Sequence, residues 1–359
     1  MLQFLRRFVF AFNIIAAILL IGAYLATVIN PKEMWLFAML GLAYPLLLLI
    51  NIFFVLFWLF QLKWQIALSV LTIAFGFNYF RQTFQWHTPT VSQAEPDLKV
   101  VSYNAALFGY FQYKWHAPEL IATLQTLDAD IVCIQEFLNF THAKGSTLDS
   151  LKLQGKYPHV AFKPLKDGRK RGVYGMLILS KHPIQSSEMV HFDGLTGNMC
   201  FYADVTVGTE VFRVYNVHLQ SFKFKKQDFQ LIEDLPEDNQ EKLSLSKGLL
   251  RRMKYAYLKR SEQVETISEH MKNSPYPHFV VGDFNDPPVS YAYHELSRGL
   301  SDAFIEKGWG MGKTYIGNMP NFRIDYILHP KSLEAINYQT YQLSSDHSLV
   351  CTALKYKNE

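Results

Sequence analysis

The stretch His278-Phe-Val-Val-Gly-Asp-Phe-Asn285 carries the signal that decides the fold of this chain. Residues 278–282 form a short apolar run that predicts a buried β-strand, and Asp283 and Asn285 come directly after it. Asp and Asn are common turn residues after a strand, so a purely structural role is the simple alternative. A sheet can also aim such side chains into a cleft, which makes both residues candidates for a functional site.

The same arrangement recurs at the ends of other strand-like runs along the chain. Each run is short and apolar, and each ends in a residue that can ionise or can bind a metal or a phosphate. Taken singly these residues are weak signals, but as a set they supply what a metal-assisted attack on a phosphoester requires. They are Asn104, Glu136, Asn216, His218, Asp325, Asp346 and His347.

Strand-like runs alternate with helical patterns from residue 98 onward, for example at 118–127, where a Pro begins the helix. Some connections are short enough for hairpins, notably Gly208–Thr209. This mixture predicts two packed sheets with helices outside. The predicted strands are 98–103, 129–135, 173–180, 200–207, 211–218, 278–282, 323–328 and 349–355.

Three of these residues suit a hard divalent cation, which prefers oxygen ligands and needs open positions for water and substrate. They are Glu136, Asn104 and Asp346. His347 is the candidate proton acceptor near neutral pH, provided that a carboxylate such as Asp325 fixes its tautomer. The chemistry indicated is cleavage of a phosphoester by water.

Donors must also hold the phosphate oxygens as negative charge develops in the transition state. Asn216, His218 and Asn285 are the candidates for this role. The sequence therefore predicts a phosphate-binding group beside the cation and the proton acceptor.

In their order along the chain, these motifs resemble the endonuclease/exonuclease/phosphatase superfamily over residues 98–356. The resemblance implies a single catalytic domain at 98–359, an α/β fold in the form of a four-layer α-β-β-α sandwich with two mixed sheets, and dependence on Mg²⁺ or Mn²⁺. The motifs are Ser-Tyr-Asn104, Gln135-Glu136, Asn216-Val-His218-Leu, Gly282-Asp283-Phe-Asn285, Arg323-Ile-Asp325-Tyr and Ser345-Asp346-His347.

The resemblance also implies a role for each matching residue. Glu136 would be the main metal ligand, with Asn104 beside it and Asp346 assisting. His347, paired with Asp325, would be the general base or the residue that polarises the phosphate.

By the same resemblance, Asp283 would orient the nucleophile or protonate the leaving group, and it forms a functional pair with His347. Asn285, Asn216 and His218 would bind the phosphate. The implied catalytic group is therefore His347, Asp283, Asp325 and Asn285.

The first 80 residues differ sharply from the rest in charge. They hold only five charged residues, whereas the whole chain has 35 Lys or Arg and 31 Asp or Glu. Uncharged apolar runs occur at 8–29, 34–60 and 64–80, and the first would extend about 33 Å as a helix, enough for a hydrocarbon core of about 30 Å. A signal peptide or buried core helices are the alternatives, but a signal peptide is not followed by two more such runs. The sequence predicts a membrane segment of three transmembrane helices in residues 1–86 and a linker at 87–97.

The cations near the predicted spans suggest an orientation. Arg6, Arg7 and Lys63 lie on one side, and Lys32 and Arg81 lie on the other. Because cytoplasmic loops are enriched in Lys and Arg, this mild bias places the N-terminus in the cytoplasm. Three spans then predict a multi-pass membrane protein with an extracytoplasmic catalytic domain, periplasmic in a bacterium with two membranes.

The leading functional hypothesis is a membrane-tethered, Mg-dependent hydrolase of a phosphodiester, phosphomonoester or pyrophosphate. The motifs indicate binding of phosphate and metal, but they do not identify the group that carries the phosphate. A tether to a lipid bilayer favours a lipid-linked substrate. An extracytoplasmic nuclease acting on nucleic acid is the alternative, and a non-catalytic phosphate-binding scaffold is a third hypothesis. Beyond residue 80 the formal charge is close to +1, which excludes a globally basic nucleic-acid-binding domain as an inference from charge. The sequence indicates no protein partner.

One insertion, residues 222–260, departs from the alternation of strands and helices. It contains a basic start at Lys223, an acidic stretch and then a basic helical stretch. A solvated loop and helix is one reading, and a grip on an anionic substrate or on anionic lipid headgroups is the other.

Overall fold

The computed structural model describes residues 2–87, 95–112, 116–142, 145–165, 172–193, 197–224, 239–317 and 322–357. Most of the predicted linker and residues 225–238 of the insertion therefore lie outside the described residues.

The chain divides into two compact units. A helical unit comprises Met1–Phe84 with Asp286–Glu295, and a sheet unit comprises Gln85–Asn285 with Leu296–Glu359. The boundary at residue 84 lies close to the predicted end of the membrane segment. The second piece of the helical unit is a surprise, because it lies inside the predicted catalytic domain.

One mixed sheet of seven strands forms half of the sheet unit. Its strands are β14 (Leu333–Tyr341), β15 (Leu349–Tyr356), β2 (Leu98–Asn104), β3 (Ile131–His142), β6 (Gly172–Ser180) and β5 (His159–Pro164) in spatial order, with β4 (Gly145–Ser146) on β3. β2 and β3 run parallel, and the other neighbours are antiparallel. The parallel pair brings the ends of β2 and β3 to the same edge of the sheet.

A second mixed sheet has six strands. In spatial order they are β11 (Ser301–Asp302), β13 (Asp325–His329), β10 (His278–Asp283), β9 (Glu210–His218), β8 (Met199–Val207) and β7 (Ile184–Val190). β9 and β10 are its parallel pair. A separate two-stranded ribbon joins β1 (Gln85–Trp86) to β12 (Trp309–Gly310).

The two sheets pack face to face over an apolar core. Val100 and Ile131 of the first sheet belong to one buried cluster with Phe201, Val214 and Val281 of the second. Each of these side chains is fully buried. Because successive strand residues point to opposite faces, the alternate positions of β2 and β3 remain for the helices on the outside.

Helices cover both outer faces, so that the unit has four layers. On the outer face of the seven-stranded sheet, Leu120 and Leu151 of two helices pack against Leu177. On the other side, the Nδ1 atom of His270 lies 2.8 Å from the hydroxyl of Tyr215. The α/β architecture with two mixed sheets agrees with the prediction. The helices of this unit are α7 (Ala117–Leu127), α8 (Thr147–Gly155), α9 (Asn239–Lys272) and the short α11 (Ala303–Lys307), whereas α10 (Tyr291–Leu296) falls almost entirely in the helical unit.

The helical unit does not contain the three predicted membrane-spanning helices. Its helices are α1 (Leu2–Leu25), α2 (Pro31–Met34), α3 (Leu36–Leu42), α4 (Tyr44–Phe60), α5 (Ile66–Phe75) and α6 (Phe77–Thr83). Among the described residues, only Gln3–Leu25 is by itself long and apolar enough to cross a membrane. The count rises to two if α3 and α4, which are bent by 67°, form one broken span.

Two breaks explain this correction. Pro45 lies in the first turn of α4, where a Pro is tolerated because its missing N–H is not needed, whereas it would clash inside a continuous helix. α5 has ten residues, or about 15 Å of helix, and Gly76 separates it from α6. The expected multi-pass, extracytoplasmic topology was derived from three spans and is not supported, because the number of candidate spans is one or two.

A buried polar network ties the helices of this unit together. The side-chain amide of Asn13 donates to Ser69 Oγ at 2.6 Å, and Ser69 donates to Asn51 Oδ1 at 3.2 Å. Trp58 Nε1 donates to Asn13 Oδ1 at 2.8 Å. The outer surfaces of these helices also expose many large apolar side chains. The exposed side chains include Phe8, Ile15, Ile18, Leu46, Leu49, Phe53, Leu71 and Phe75.

The segment Asp286–Glu295 is part of the helical unit through Val289. This side chain is buried in a cluster with Leu20, Tyr24 and Tyr44. A Cβ atom on Gly41 would lie 2.4 Å from the carbonyl oxygen of Val289, so the close approach requires glycine. The residues that directly follow Asn285 are thus held among helices from the start of the chain.

Candidate active site

The ends of strands from both sheets converge on Asp283. Asp283 ends β10 and lies opposite His218, the end of β9, and opposite Asp325, the start of β13. From the other sheet, Asn104 ends β2 and donates from Nδ2 to Asp283 Oδ2 at 3.0 Å. Polar groups that are up to 221 residues apart in the sequence are therefore brought together by the strand order.

Glu136 reaches the same place because β3 has a bulge. The pairing of β3 with β6 shifts register between Ile134 and Phe137, and Glu136 adopts the left-handed conformation with φ 46°. A bulge re-aims a side chain, and a non-glycine residue at positive φ stores strain that is common at functional sites. Glu136 Oε1 lies 3.6 Å from His218 Nε2. Burial raises the pKa of Glu136, against the effects of His347 and of a hydrogen bond from Asn104.

The loop after β10 locks the carboxylate of Asp283 in place. Asn285 donates from its backbone N–H to Asp283 Oδ1 at 2.7 Å and from Nδ2 to Oδ2 at 3.1 Å. Gly282 has φ 139°, and a Cβ atom there would lie 2.0 Å from Val217 O. The glycine before Asp283 is therefore obligatory, because it lets β10 approach β9 closely.

His347 and Asp325 form a buried pair beside Asp283. His347 Nδ1 lies 3.0 Å from Asp325 Oδ2, and His347 Nε2 lies 3.8 Å from Asp283 Oδ2. Burial disfavours the charged imidazole, but the carboxylates of Asp325 and Asp283 outweigh it and raise the pKa of His347 to about 10. Burial raises the pKa of Asp283 to about 6, although His347 acts in the opposite direction.

Two groups of side chains could hold a cation. Ligand atoms of Asp283, Asp325 and His347 lie within 4.8 Å of one another, but His347 Nδ1 and Asp325 are already bonded to each other. Glu136 is the better centre, because its side chain is 31% exposed and opens to the cleft. Asp346 is exposed and acts electrostatically on Glu136 and His347. This concentration of oxygen donors suits a hard divalent cation.

Asn216 does not belong to the phosphate-binding group that was predicted for it. Its side chain is fully buried, and Nδ2 donates to the carbonyl oxygens of Ile134 at 3.2 Å and of Leu177 at 2.9 Å. Gln135 Nε2 donates to its Oδ1 at 2.7 Å. Because Asn216 lies on β9 and its partners lie on β3 and β6, its role is to join the two sheets across the core.

Replacing Asn216 with Ala should therefore destabilise the fold without weakening substrate binding. Three buried partners would lose their hydrogen bonds, so we expect a loss of about 3 kcal/mol in the free energy of unfolding. Thermal or denaturant unfolding in detergent measures this, and Asn273→Ala at an exposed helix end is the control, with a change within about 0.5 kcal/mol. A higher KM in a variant of undiminished stability would contradict the structural role.

A cavity of about 270 Å³ opens beside Glu136 and His218. Its wall combines apolar side chains, Leu107 and Leu165, with an exposed cation, Lys223. Burial lowers the pKa of His218, and the positive charge of Lys223 adds to this effect. The cavity can therefore accept a substrate with an anionic group and an apolar portion. It is also lined by Tyr174, Gly197, Asn198 and Ser221.

Arg260 supports the site in a way that its sequence context did not reveal. Its guanidinium is buried, and Nη1 donates to the carbonyl oxygens of Gln220 at 2.9 Å and of Asn285 at 2.8 Å. Arg260 thereby anchors the loop that locks Asp283. A single Arg in a helical Lys-Arg-Ser-Glu-Gln run carries no signal of this role.

The structure thus unites all but one of the predicted site residues. Asn104, Glu136, His218, Asp283, Asn285, Asp325 and His347 surround one cleft, with Asp346 at its rim. Only Asn216 lies apart, within the core.

Comparisons with known proteins find matches for both parts of the chain. The Endonuclease/Exonuclease/phosphatase family matches residues 101–347, and a domain of unknown function (DUF8431) matches residues 6–83. An endonuclease/exonuclease/phosphatase structure from Beutenbergia cavernae is 16% identical with a TM-score of 0.52, covering 74% of this chain and 72% of that chain. A family protein from Leptotrichia buccalis is 15% identical with a TM-score of 0.50, covering 72% of this chain and 100% of that chain. No curated protein matches the chain significantly.

Proposed function

Because the chain belongs to the endonuclease/exonuclease/phosphatase family, whose members hydrolyse phosphoesters, we propose that it is a membrane-tethered, divalent-metal-dependent hydrolase of a lipid-linked phosphoester. The observation that carries the proposal is the convergence on Asp283 of Asn104 from one sheet and of His218 and Asp325 from the other. A purely structural role for these residues would not require so many ionisable groups at one cleft.

Asp283 and His347 divide the proton transfer between them. Asp283 is held by three donated hydrogen bonds with its oxygens facing the cleft, which suits it to orient the attacking water and to accept its proton. His347 is fixed by Asp325 through Nδ1 and keeps Nε2 for the phosphate. As a cation it stabilises the charge that develops on a phosphoryl oxygen.

The family typically uses divalent metals, and the residues present fit such an ion. Glu136, Asn104 and Asp346 would hold it, since they offer oxygen donors beside the cleft. The ion would supply positive charge against the phosphoryl oxygens. His218 would bind the phosphate, while Asn285, whose Nδ2 donates to Leu219 O and to Asp283 Oδ2, would contribute by holding the Asp283 carboxylate.

The membrane tether and the lipid-linked substrate rest on the helical unit and the cavity. Only 39% of the apolar window within Gln3–Leu25 is buried, and the unit buries a polar network while it exposes many large apolar side chains, as helices in lipid do. Leu107 and Leu165 beside Glu136 give the cavity an apolar wall for the lipid portion of a substrate.

A substrate comparison tests this proposal. The full-length protein in mixed micelles with Mg²⁺ should release the phosphorylated headgroup from a phospholipid or inorganic phosphate from a polyprenyl pyrophosphate, and a chelator should abolish the reaction. A nuclease would instead degrade plasmid DNA and would weaken steeply as salt rises. Cleavage of DNA with no action on either lipid would overturn the lipid-linked substrate but would leave the hydrolase intact, whereas no turnover on any phosphoester would overturn both.

A further inference from the structure

Two tryptophan side chains form one exposed patch on the sheet unit. Trp86 and Trp309 are direct partners across the ribbon of β1 and β12. Directly opposed residues of an antiparallel pair project to the same face, and each side chain is 58% exposed. Single exposed apolar residues need no explanation, but two adjacent indoles expose a contiguous apolar surface.

The ribbon is built so that this patch faces outward. Gln85, which precedes Trp86 and points to the opposite face, is only 6% exposed. The backbone N–H of His87 donates to Gly308 O at 3.2 Å and continues the pairing. The buried side of the ribbon therefore fixes the side on which both indoles lie.

Two cations lie close to Trp309 in the sequence, on either side of β12. Lys307 and Lys313 lie within four residues of Trp309 in the sequence and are exposed. Indole rings favour the headgroup region of a bilayer, where one end of the ring is apolar and the other is wet. Lysines beside them are attracted to anionic lipid headgroups. The chemistry of the patch therefore fits the surface of an anionic bilayer.

The chain connects this patch directly to the helical unit. Trp86 is the second residue after Phe84, the last residue of the first helical segment. Only Gln85 lies between these two residues in the sequence.

We propose that Trp86 and Trp309 dock the sheet unit onto the headgroup region of an anionic lipid bilayer. This inference rests on the membrane tether of the proposed function and adds a second contact with the bilayer, which the hydrolytic domain itself makes. It would keep the sheet unit at the bilayer surface, where the phosphate of a lipid-linked substrate is found.

Fluorescence of the full-length protein tests the proposal without any turnover. The protein is reconstituted in vesicles of phosphatidylcholine and phosphatidylglycerol, and the emission of the Trp86→Phe/Trp309→Phe double variant is subtracted from that of the wild type. The difference emission should be shifted to the blue and quenched by lipids brominated on their acyl chains. It should be protected from iodide in the water phase.

Two results would overturn the docking. Difference emission that iodide quenches and brominated lipid does not would place the patch in water. Protection from both quenchers, together with a dimer in solution, would show that a second copy of the chain covers it. Failure of the tether is a separate result, because the protein would then not float with the vesicles at all.

Activity gives a second readout with a matched control. Trp86→Ser/Trp309→Ser should lower hydrolysis of a substrate embedded in vesicles several-fold and leave hydrolysis of a water-soluble phosphoester unchanged. Leu153→Ser, at another apolar side chain that is 82% exposed, should change neither. Equal loss on both substrates would mean that the tryptophans serve the fold and not the bilayer.

Discussion

Replacing Asp283 with Asn is expected to lower kcat by about 10²–10⁴-fold, the usual contribution of a positioned acid or base. The carboxylate oxygens of Asp283 accept hydrogen bonds from Asn104 and from two groups of Asn285. An amide keeps only one acceptor oxygen and cannot take a proton from water. Steady-state kinetics with a phosphoester substrate and saturating Mg²⁺ measure the loss.

The control must separate lost chemistry from lost structure. Asp128→Asn is matched, because Asp128 is exposed and its left-handed backbone is equally open to Asn. Both variants should keep the thermal unfolding transition of the wild type within a few degrees. Activity of Asp283→Asn within tenfold of the wild type would mean that another group takes the proton.

The second large effect is expected for Glu136→Gln, through the cation. Loss of the Glu136 carboxylate, the main ligand of the proposed cation site, should weaken divalent-metal affinity by more than about 100-fold, since losing even an outer partner of a ligand costs about 10–100-fold. Gln keeps the size of the side chain and is open to the same left-handed backbone. Activity measured against Mg²⁺ concentration should therefore shift to much higher concentrations.

Direct binding of Mn²⁺, measured by calorimetry on chelator-treated protein, makes the result independent of turnover. Glu188→Gln is the control, because Glu188 is an exposed acidic residue on β7 whose described side-chain bond is to Tyr202. Unchanged Mn²⁺ affinity in Glu136→Gln would indicate that the cation binds at the cluster of Asp283, Asp325 and His347 instead.

The central strands could be predicted from the sequence, whereas three strands at sheet ends could not. β2, β3, β9 and β10 are apolar runs because both of their faces are covered. Apart from the two-residue strands β1, β4, β11 and β12, the strands that sequence reasoning missed are β5, β7 and β14, and each of these three lies at an end of a sheet. An end strand has one unpaired edge and more exposed positions, as β7 shows with its polar Gln-Ser-Ser-Glu run. Without a regular alternation of apolar residues, such a strand cannot be predicted from the sequence pattern.

The site residues could be predicted as a set but not sorted by role. Asn216 and His218 are two residues apart on β9 and therefore point to the same face of the strand. Asn216 nevertheless ends in the core, bonded to carbonyls of the other sheet, while His218 lies at the strand end and reaches the cleft. That distinction depends on where the facing sheet ends, and no local pattern encodes it.

For the predicted membrane segment, the sequence indicated the apolar region but not the lengths of its helices. Composition set the first 86 residues apart from the rest, but it could not reveal that Asp286–Glu295 belongs to the helical unit or that Pro45 and Gly76 divide the apolar runs into shorter helices. Hydropathy averages over such breaks, because a Pro or a Gly changes backbone geometry while changing mean hydropathy little.

Burial of Val289 among the N-terminal helices limits how this protein can be produced and shortened. A truncated version that starts at residue 85 would keep every residue of the cleft, yet it would leave the stretch after Asn285 without the apolar surroundings that Leu20 and Tyr44 provide. Such a fragment should be poorly soluble or inactive for a reason unrelated to its chemistry. Catalysis should therefore be measured on the protein purified in detergent with its N-terminal helices attached.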